Sequence, residues 1–264
     1  MSHAVNCTVI KYGGNALASA SDDDVLAQFA NDLVQLHHDG MNPVVVHGGG
    51  PQISELMAQR GKQPEFRGGL RVTDAETIDI VRTALMTHVN PQLVDAINVH
   101  GPLSVGVSGE GLILAKVRDP ELGFVGDVAS IDPTILHELL TERLIPVVAP
   151  LGKDETGQTY NINADTVAAA IAVAIRAATL IYLTDVDGLR RVVSDESSLI
   201  RHATAAELAA MLADGTIANG MIPKVQGCID ALHSGVGKAH ILDGRVAHVL
   251  QEGFSGKDIG TVVR

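Results

Sequence analysis

Short apolar runs with the length of β-strands alternate along the chain with longer stretches in which apolar residues recur every three or four positions. Residues 44–46, 145–149 and 180–184 are runs of the first kind, and residues 21–40 form a stretch of the second kind. Strands that alternate with helices in this way build βαβ crossovers, which place the strands side by side and in parallel. The pattern therefore predicts an α/β fold with a mainly parallel central sheet and helices on both of its faces.

The middle of the chain departs from this alternation. Two helices are predicted at residues 76–89 and 92–99, followed by a hairpin that joins residues 112–117 to residues 124–128. Residues 152–157 begin and end with glycine and are otherwise polar, which predicts a loop. The hairpin and the loop interrupt the regular succession of strand and helix.

The composition narrows the classes of ligand and partner. The chain has 264 residues, of which 46% are hydrophobic, enough for one large domain or for two lobes with a substantial core. Its formal net charge is −12, and no run of Lys and Arg offers a surface for nucleic acid or an anionic membrane. Anionic ligands would be repelled at long range, so binding one requires a few concentrated cations. The chain has only seven lysines, which makes the position of each one informative.

Neither the N-terminus nor the cysteines indicate a secreted protein or a metal centre. The first six residues carry no basic region, and the strand-like run that follows is too short for a signal sequence or a membrane span, so we expect a cytoplasmic protein. Cys7 and Cys228 have no metal-ligand spacing and no disulfide framework around them. We expect both side chains to be buried or half-buried.

Lys11 ends a β-branched run and stands just before the turn Gly13-Gly14. N–H groups in a glycine turn, together with the positive end of the next helix, form a cradle for anions, and an ammonium group neutralises charge on the oxygens held there. The alternative is structural, because a turn from strand to helix needs glycine for its geometry. The string therefore indicates a phosphate site without establishing one.

A second glycine turn lies between His47 and Pro51, where Gly48, Gly49 and Gly50 follow a buried strand. Three glycines let the backbone approach a ligand closely and direct several N–H donors at one point, which suits an oxyanion or a phosphate. The spacing is not that of a P-loop, which needs a lysine and a hydroxyl residue directly after the glycines, nor that of a dinucleotide fingerprint.

Arg71 follows a glycine pair and precedes a helix. Its guanidinium group has the fork geometry that binds a carboxylate with two hydrogen bonds. The commoner arrangement for such a residue is a surface ion pair, here with Asp74 or Glu76.

Two more strings contain candidate polar ligands. Asn161 and Asn163 alternate and so lie on one side of the chain, and Asp165 falls in the first turn of the next helix. The amides suit a polar substrate and the carboxylate suits cations, although Asp165 alternatively stabilises the helix terminus. Lys224 lies one turn into a later helix, a place where lysine commonly extends into solvent.

Together these features favour phosphoryl transfer. Its transition state spreads negative charge over oxygens that need cations and N–H donors already in place, and Lys11 and Lys224 would supply the cations. A carboxylate acceptor needs no catalytic base, because a pKa of about 4 leaves it ionised near neutral pH. The lysines, the glycine amides and a Mg²⁺ carried in with the nucleotide would offset the repulsion between the two anions, and Asp165 would hold both ammonium groups in register.

The order and spacing of six strings resemble those of the acetylglutamate kinases in the amino acid kinase family, and the resemblance runs from the first strand to Gly260-Thr261. The strings are Lys11-Tyr12-Gly13-Gly14-Asn15, His47-Gly48-Gly49-Gly50-Pro51, Gly69-Leu70-Arg71-Val72-Thr73-Asp74, Asn161-Ile162-Asn163-Ala164-Asp165, Leu183-Thr184-Asp185-Val186 and Gly220-Met221-Ile222-Pro223-Lys224. The resemblance implies an α/β/α sandwich of two lobes that share a continuous sheet. Residues 1–175 would bind the acceptor and form the dimer, and residues 176–264 would bind the nucleotide. The implied reaction is ATP-dependent phosphorylation of the side-chain carboxylate of N-acetyl-L-glutamate, in arginine biosynthesis.

The resemblance also implies roles for individual residues. Lys11 and Lys224 would stabilise the transferring phosphoryl group, and Asp165 would organise the two lysines. Arg71 and Asn161 would bind the carboxylate end and the acetamido part of the acceptor. Asn163 would shape that pocket. The backbone donors around the reacting groups would be Gly49, Gly50, Gly13 and Gly14. The nucleotide would be held by Asp185, Val186, Asp187, Gly188, Leu189, Arg190, Thr216, Ile217 and Ala218, with ATP as co-substrate and Mg²⁺ carried with it.

Other acceptors and another class of protein stay open. The last eleven residues also resemble kinases that phosphorylate an aminoadipyl group on a carrier protein, so acetylaminoadipate or carrier-linked aminoadipate is an alternative acceptor. A net acidic chain, however, offers no docking surface for an acidic carrier. Aspartate, glutamate and carbamate kinases are further alternatives, as is a non-catalytic amino-acid sensor with the same fold. A sensor would have lost one of the two lysines, and both are present.

The length of the chain before the first strand bears on assembly. Arginine-inhibited members of the family carry an extra N-terminal helix that links dimers into a hexamer, whereas about six residues precede the first strand here. We therefore expect a homodimer that is insensitive to arginine, with a small acetylated amino acid and ATP as its ligands.

Overall fold

The structure is a computed structural model that describes residues 6–13, 23–218, 220–255 and 257–264. Within those residues the strands are β1 (Cys7–Tyr12), β2 (Asn42–His47), β3 (Phe66–Arg67), β4 (Leu70–Arg71), β5 (Ser104–Ser108), β6 (Ile113–Val117), β7 (Val125–Ile131), β8 (Ile145–Ala149), β9 (Leu151–Lys153), β10 (Thr159–Ile162), β11 (Thr179–Thr184), β12 (Leu189–Arg190), β13 (Leu199–Ile200), β14 (His202–Ala203), β15 (Lys238–Asp243) and β16 (Thr261–Val263). The α-helices of the same residues are α1 (Asp23–His38), α2 (Gly50–Gln59), α3 (Ala75–Thr83), α4 (Asn90–Asn98), α5 (Thr134–Thr141), α6 (Ala164–Ala174), α7 (Ala205–Ala213), α8 (Met221–His233) and α9 (Val249–Phe254).

The central sheet has the strand order β14-β16-β15-β11-β1-β2-β8-β5. Each neighbouring pair is parallel except β15 with β16. Successive residues of β1 belong to different hydrophobic clusters, since Val9 packs with α6, α7 and α8 and Ile10 packs with α1 and α4. The predicted fold class, a mainly parallel sheet with helices on both faces, is therefore confirmed.

The register of the sheet brings the ends of three strands together. Lys11 in β1 lies opposite Val46 in β2 on one side and Tyr182 in β11 on the other. On one side of β1 lie β2, β8 and β5, which come next in the chain. On the other side lies β11, which comes later, so the strand order reverses at β1. Ligands of open α/β sheets bind beyond the carboxyl ends of the strands where the order reverses in this way. The carboxyl ends of β1, β2 and β11 lie at that point.

The predicted hairpin forms, but it belongs to a second sheet that the sequence pattern did not indicate. Strands β6 and β7 pair with β9 and β10 in a closed ring with the order β10-β7-β6-β9. The predicted loop at residues 152–157 is wrong at its first two residues, because Gly152 and Lys153 are in β9. A Cβ on Gly152 would lie 2.7 Å from Ile162 Cδ1, so this glycine permits close packing of strands rather than a loop.

The two helices predicted at residues 76–89 and 92–99 are one continuous helical segment. A π-helical turn, Ala84–Val89, joins α3 to α4. Pro91 has no N–H to donate, and the wider turn before it carries the chain past the proline without a break. The predicted break between the two helices, at residues 90–91, is therefore wrong.

The central sheet runs through both predicted lobes, since β1, β2, β5 and β8 precede residue 176 and the other four strands follow it. Between the lobes α6 ends at Ala174, and β11 begins at Thr179. The assignment of residues 1–175 to the acceptor and 176–264 to the nucleotide stays a prediction. Among the described helices, none combines the length and the apolar character needed to cross a bilayer.

Candidate active site

Two lysines that are far apart in the sequence contact the same carboxylate. Lys11 Nζ lies 2.9 Å from Asp165 Oδ1, and Lys224 Nζ lies 2.8 Å from Asp165 Oδ2. The sheet supplies Lys11, the first turn of α6 supplies Asp165, and the first turn of α8 supplies Lys224. The surface interpretation of Lys224 is therefore wrong. We call these three side chains the lysine–aspartate cluster.

Burial makes this cluster electrostatically strong. Asp165 is 5% exposed, and the side chains of Lys11 and Lys224 are 9% and 13% exposed. Burial on its own would raise the pKa of the Asp165 carboxyl, but the two ammonium groups outweigh burial and hold that pKa below its usual range. One carboxylate between two ammonium groups leaves a net positive charge. The cluster is therefore suited to an anionic ligand.

The cluster opens into a cavity of about 260 Å³ at the carboxyl ends of β1, β2 and β11. The residues that line it are Lys11, Gly13, Gly48, Gly49, Gly50, Pro51, Leu183, Thr184, Asp185 and Lys224. We call this space the lysine cavity. Gly14, also predicted to supply a backbone donor, lies outside the described residues.

The glycine turn presents helix N–H groups to this cavity. The Gly48 amide already donates to the Tyr12 carbonyl at 3.0 Å, so it continues the sheet. Gly49 is the N-cap of α2 and Gly50 is its first residue, positions at which an α-helix leaves its N–H groups without acceptors in the helix. A Cβ on Gly49 would lie 2.5 Å from Leu85 Cδ2, so the neighbouring helical segment leaves no room for a side chain here. Gly49 and Gly50, at the positive end of α2, line the same cavity as the two lysines.

His47 and Asn90 fix the turn from behind. His47 is fully buried, and its Nδ1 lies 2.8 Å from the Gly48 carbonyl oxygen. Asn90 Nδ2 donates to the Val147 carbonyl at 2.8 Å and lies 3.1 Å from His47 Nε2. An amide nitrogen can only donate, so Nε2 accepts and Nδ1 carries the proton that is donated to Gly48. Burial lowers the pKa of His47 to about 4, which keeps the imidazole neutral at pH 7.

Arg71 is buried and does not form the predicted surface ion pair. Its guanidinium group donates to the Gly50 carbonyl at 3.0 Å and to Ser54 Oγ at 2.9 Å. Lys62 instead contacts both acidic residues, with Nζ 2.7 Å from Asp74 and 3.0 Å from Glu76. Within the described residues no carboxylate lies within 4.0 Å of Arg71. Burial lowers its pKa from the ordinary value, so an anion from outside the chain would be stabilised at this position.

The two asparagines occupy different positions. Asn161 Nδ2 lies 3.4 Å from Thr73 Oγ1, and Thr73 Oγ1 donates to the Arg71 carbonyl at 2.9 Å, so Asn161 lies beside the strand that carries Arg71. Asn163 Oδ1 accepts the amides of Asp165 and Thr166 and thereby caps α6. Asn163 also lines a second cavity, of about 660 Å³, rather than the lysine cavity.

The segment predicted to hold the nucleotide leaves β11 at the lysine cavity. Asp185 lines that cavity, and Thr184 Oγ1 lies 3.2 Å from Asp185 Oδ1. Beyond it the chain turns away: Arg190 forms a two-point contact with Asp187 at 3.1 and 3.0 Å. The Leu189 amide donates to Thr261 Oγ1 at 2.8 Å, and its side chain is in the core.

The remaining predicted nucleotide residues do not line the lysine cavity. Gly188 has a φ of 145°, a conformation that favours glycine, whereas Val186 is exposed. The Thr216 amide donates to Asp214 Oδ1 at 2.9 Å, and Ile217 is buried in the core. Ala218, whose carbonyl accepts the Met221 amide, leads into α8. Roles of all these residues in nucleotide binding stay predictions.

The local sequence pattern did not indicate the roles of His47 and Asn90 behind the site. Asn90 is a buried polar residue in a helical segment that is otherwise apolar on its inner face, and that break in the pattern was the available signal. His47 stood in the glycine string but had no assigned role. No group of three or more His, Cys, Asp or Glu side chains suited to a metal ion occurs in the part of the chain that the structure describes. Cys7 and Cys228 are both buried, and this matches the prediction for the two cysteines.

The chain is similar to known proteins in sequence and in fold. The profile of the Amino acid kinase family matches residues 6–243. The chain is 47% identical over 259 residues to the acetylglutamate kinase of Jannaschia sp. (strain CCS1), covering 97% of this chain and 89% of that one. It is 48% identical over 265 residues to the acetylglutamate kinase of Corynebacterium glutamicum (strain ATCC 13032), covering 97% and 88%. The crystal structure of smu.665 from Streptococcus mutans UA159 is similar with a TM-score of 0.82 and 30% identity, covering 98% of each chain.

Proposed function

The chain belongs to the amino acid kinase family, and on that premise we propose that it transfers the γ-phosphoryl group of ATP to the side-chain carboxylate of N-acetyl-L-glutamate. The product is an acyl phosphate, formed as a step of arginine biosynthesis. One observation carries the proposal: Lys11 and Lys224 contact the two oxygens of Asp165 at the mouth of one cavity.

The two lysines act on the charge that moves during transfer. A carboxylate oxygen of the acceptor forms a bond to the γ-phosphorus while the bond from that phosphorus to the bridging oxygen breaks, and the electron pair leaves with ADP. The acceptor is already ionised near neutral pH, so no side chain has to remove a proton. Lys11 and Lys224 neutralise charge on the equatorial and bridging oxygens. Asp165 holds both ammonium groups in place before the substrates arrive.

The glycine turn complements the lysines. The amides of Gly49 and Gly50 donate to the transferring group or to the attacking carboxylate, and neutral His47 keeps the turn in position through the Gly48 carbonyl. Because these donors are fixed by packing, they need little reorganisation as charge develops.

Arg71 supplies the acceptor site. It is a buried cation with no carboxylate partner among the described residues, and it is joined to the glycine turn through the Gly50 carbonyl. A ligand carboxylate at this position would satisfy the charge and place the rest of the acceptor toward the lysine cavity. Asn161, which lies beside Thr73, donates to the amide portion of the acceptor. Asn163, which caps α6, shapes that pocket from the side of the second cavity.

ATP binds along the segment that follows β11 and along the residues before α8. Asp185 is the acidic side chain of this segment that faces the lysine cavity, and it would lie near the phosphates and the Mg²⁺ that ATP carries. On this proposal Mg²⁺ enters with the nucleotide, as part of the substrate. We also propose that the protein is a cytoplasmic homodimer.

Hydroxylamine trapping tests the reaction directly, because it converts an acyl phosphate into a stable hydroxamate. The purified chain is incubated with ATP and Mg²⁺ and, in parallel, with acetylglutamate, glutamate, aspartate and acetylaminoadipate. We expect hydroxamate from acetylglutamate at a rate at least tenfold above that from the others. If acetylglutamate gives no hydroxamate, the proposal is refuted. If acetylaminoadipate is the one compound that gives hydroxamate, acetylaminoadipate is the acceptor in place of acetylglutamate. Only the resemblance of the last eleven residues favours that acceptor, whereas the relatives compared above are named acetylglutamate kinases. A non-catalytic sensor is not favoured, because both lysines are in place.

A further inference from the structure

Tyr182 is a fully buried tyrosine at the centre of the fold, directly behind the lysine–aspartate cluster. It lies on β11 in register with Lys11 on β1. Its hydroxyl group donates to the main-chain carbonyl oxygen of Asp165 at 3.1 Å. That carbonyl belongs to the first turn of α6 and also accepts the helical hydrogen bond from the N–H group four residues further on. The tyrosine hydroxyl therefore donates to the second lone pair of the carbonyl oxygen. The hydroxyl therefore ties the start of α6 to the central sheet.

The helix that carries Lys224 packs against the same hydroxyl. Gly227 follows Lys224 by three residues and so lies on the same side of α8. A Cβ at Gly227 would lie 2.1 Å from Tyr182 Oη and 3.2 Å from both Cζ of that ring and Ala169 Cβ. Any larger residue would force α8 away from the sheet. The absence of a side chain at Gly227 is what allows α8 to approach the tyrosine.

One side chain thus contacts the elements that carry Asp165 and Lys224 and sits beside the strand residue Lys11. A phenylalanine would fill the same volume, so filling the core does not explain the hydroxyl. A buried hydroxyl group needs a hydrogen-bond partner, and the partner here is the main-chain carbonyl of Asp165, the residue that joins the two lysines. Burial raises the pKa of Tyr182 well above its ordinary value, so the group stays protonated and remains a donor.

We propose that Tyr182 is a positioning residue for phosphoryl transfer: its hydroxyl fixes the Asp165 backbone, and its contact with Gly227 sets how closely the Lys224 helix approaches. The inference rests on the proposed function, because it assigns the tyrosine to the placement of that reaction's two cations. Tyr182 is fully buried and is not among the residues that line the lysine cavity. Its effect is expected in the rate of the chemical step and not in the affinity for ATP or the acceptor.

The first test is Tyr182→Phe, measured with acetylglutamate and ATP. We expect kcat to fall about three- to tenfold, the effect of one hydrogen bond, with both KM values within about twofold of the wild type. Tyr160→Phe is the matched control, because it removes the hydroxyl group of another buried tyrosine, which donates to Asp154 Oδ2 at 3.0 Å in a partly buried hydrogen bond. The control is expected to lower the melting temperature to a similar extent and to leave kcat unchanged.

The second test uses the contact between the two residues. Gly227→Ala is expected to lower kcat at least tenfold, because the new methyl group moves α8 and with it Lys224. The double variant Tyr182→Phe/Gly227→Ala removes the oxygen that the methyl group meets, and it should have a higher kcat than Gly227→Ala alone. Two independent losses of stability would make the double variant worse, so recovery distinguishes positioning from general damage.

Three results would overturn the inference. One is a Tyr182→Phe enzyme with kcat within twofold of the wild type. Another is a double variant no more active than Gly227→Ala. The third is a loss of kcat in Tyr160→Phe equal to that in Tyr182→Phe. A wild-type protein that forms no acyl phosphate would refute the proposed function together with this inference, whereas an active wild type with indifferent variants would refute the inference alone.

Discussion

Replacing Asp165 with asparagine keeps the size of the side chain and removes the charge that joins the two lysines. The nitrogens of Lys11 and Lys224 lie 2.9 and 2.8 Å from the two oxygens of one carboxylate. They are therefore at most about 8 Å apart, where two unit charges repel by about 2–3 kcal/mol at an effective dielectric constant of 20. An asparagine has one oxygen to accept from one lysine, and its NH₂ group would face the other ammonium group.

The expected loss of stability follows from the burial of all three groups. Removing one partner from a buried ion pair costs about 3–5 kcal/mol, because the remaining charge stays buried and unpaired. For a chain of this size the melting temperature of Asp165→Asn should fall by about 6–20 °C. The enzyme should remain folded at 25 °C, since native proteins have about 5–15 kcal/mol of stability.

Asp165→Asn should also lower kcat, and the folded enzyme should show this loss even at temperatures well below its melting temperature. Without the carboxylate the two ammonium groups move apart, and displacement of a catalytic group by about 1 Å can cost roughly a hundredfold in rate. We expect kcat to fall by about two to three orders of magnitude. The assay is ADP release at saturating substrates, with thermal melting in parallel.

Asp258→Asn is the matched control for this prediction. It removes an exposed carboxylate that lies 3.2 Å from His202, at the far edge of the sheet. Exposed pairs contribute about 0–1 kcal/mol, so both kcat and the melting temperature should stay close to the wild type. A kcat for Asp165→Asn within threefold of the wild type would contradict the proposed role of Asp165. An unchanged melting temperature would contradict the account of the buried cluster.

Three further predictions concern single side chains. Lys224→Ala should lower kcat by about 10²–10³ and leave the acceptor KM within a few-fold, because its contact strengthens in the transition state; a change in KM alone would exclude that role. Arg71→Lys keeps the charge but loses the fork, so the acceptor KM should rise at least about tenfold with the ATP KM unchanged; an unchanged acceptor KM would place Arg71 outside the site. His240 is buried and has no hydrogen-bond partner in the described part of the chain, and burial lowers its pKa to about 4. As the pH falls, this histidine is therefore protonated in the unfolded chain before it is protonated in the folded protein. The free energy of unfolding should fall by about 2 kcal/mol between pH 7.5 and pH 5 because of this one residue. His240→Leu should remove that loss and raise the free energy of unfolding at pH 7 by about 1 kcal/mol, as measured by urea denaturation at both pH values; equal pH dependence in the two proteins would contradict it.

The sequence predicted the parts of the site whose chemistry is local. Lys11 and the glycine turn after His47 end buried strands, and parallel strands bring their carboxyl ends to one edge of a sheet, so a shared anion site followed from the fold class. The joining of Lys11 to Lys224 through Asp165 was also predicted, and the structure places all three within ion-pair distance. For Lys224 the prediction came from the chemistry of phosphoryl transfer and from the resemblance to the acetylglutamate kinases, because its local sequence alone favoured a position in solvent.

Other features depended on contacts that no local pattern encodes. Arg71 has two acidic neighbours in the sequence, Asp74 and Glu76, but both form ion pairs with Lys62, which follows the end of α2. Arg71 instead donates to the Gly50 carbonyl in the interior. The strand β5 and the pair of β9 with β10 contain glycine and polar residues, so their pattern resembles a loop until tertiary packing is known. Tyr182 and Gly227 have meaning only as a pair, because each is an ordinary residue of a strand or a helix until α8 packs on the sheet.

The most direct test of the central claim is a crystal structure with ADP, aluminium fluoride, Mg²⁺ and acetylglutamate, in which the fluoride group stands in for the transferring phosphoryl group. The measured quantities are the distances from Lys11 Nζ and Lys224 Nζ to that group. We predict that both nitrogens lie within about 3.2 Å of its fluorine atoms while each still contacts Asp165. A structure with the substrates bound in which either nitrogen lies more than about 6 Å away, well beyond hydrogen-bond reach, would contradict the account.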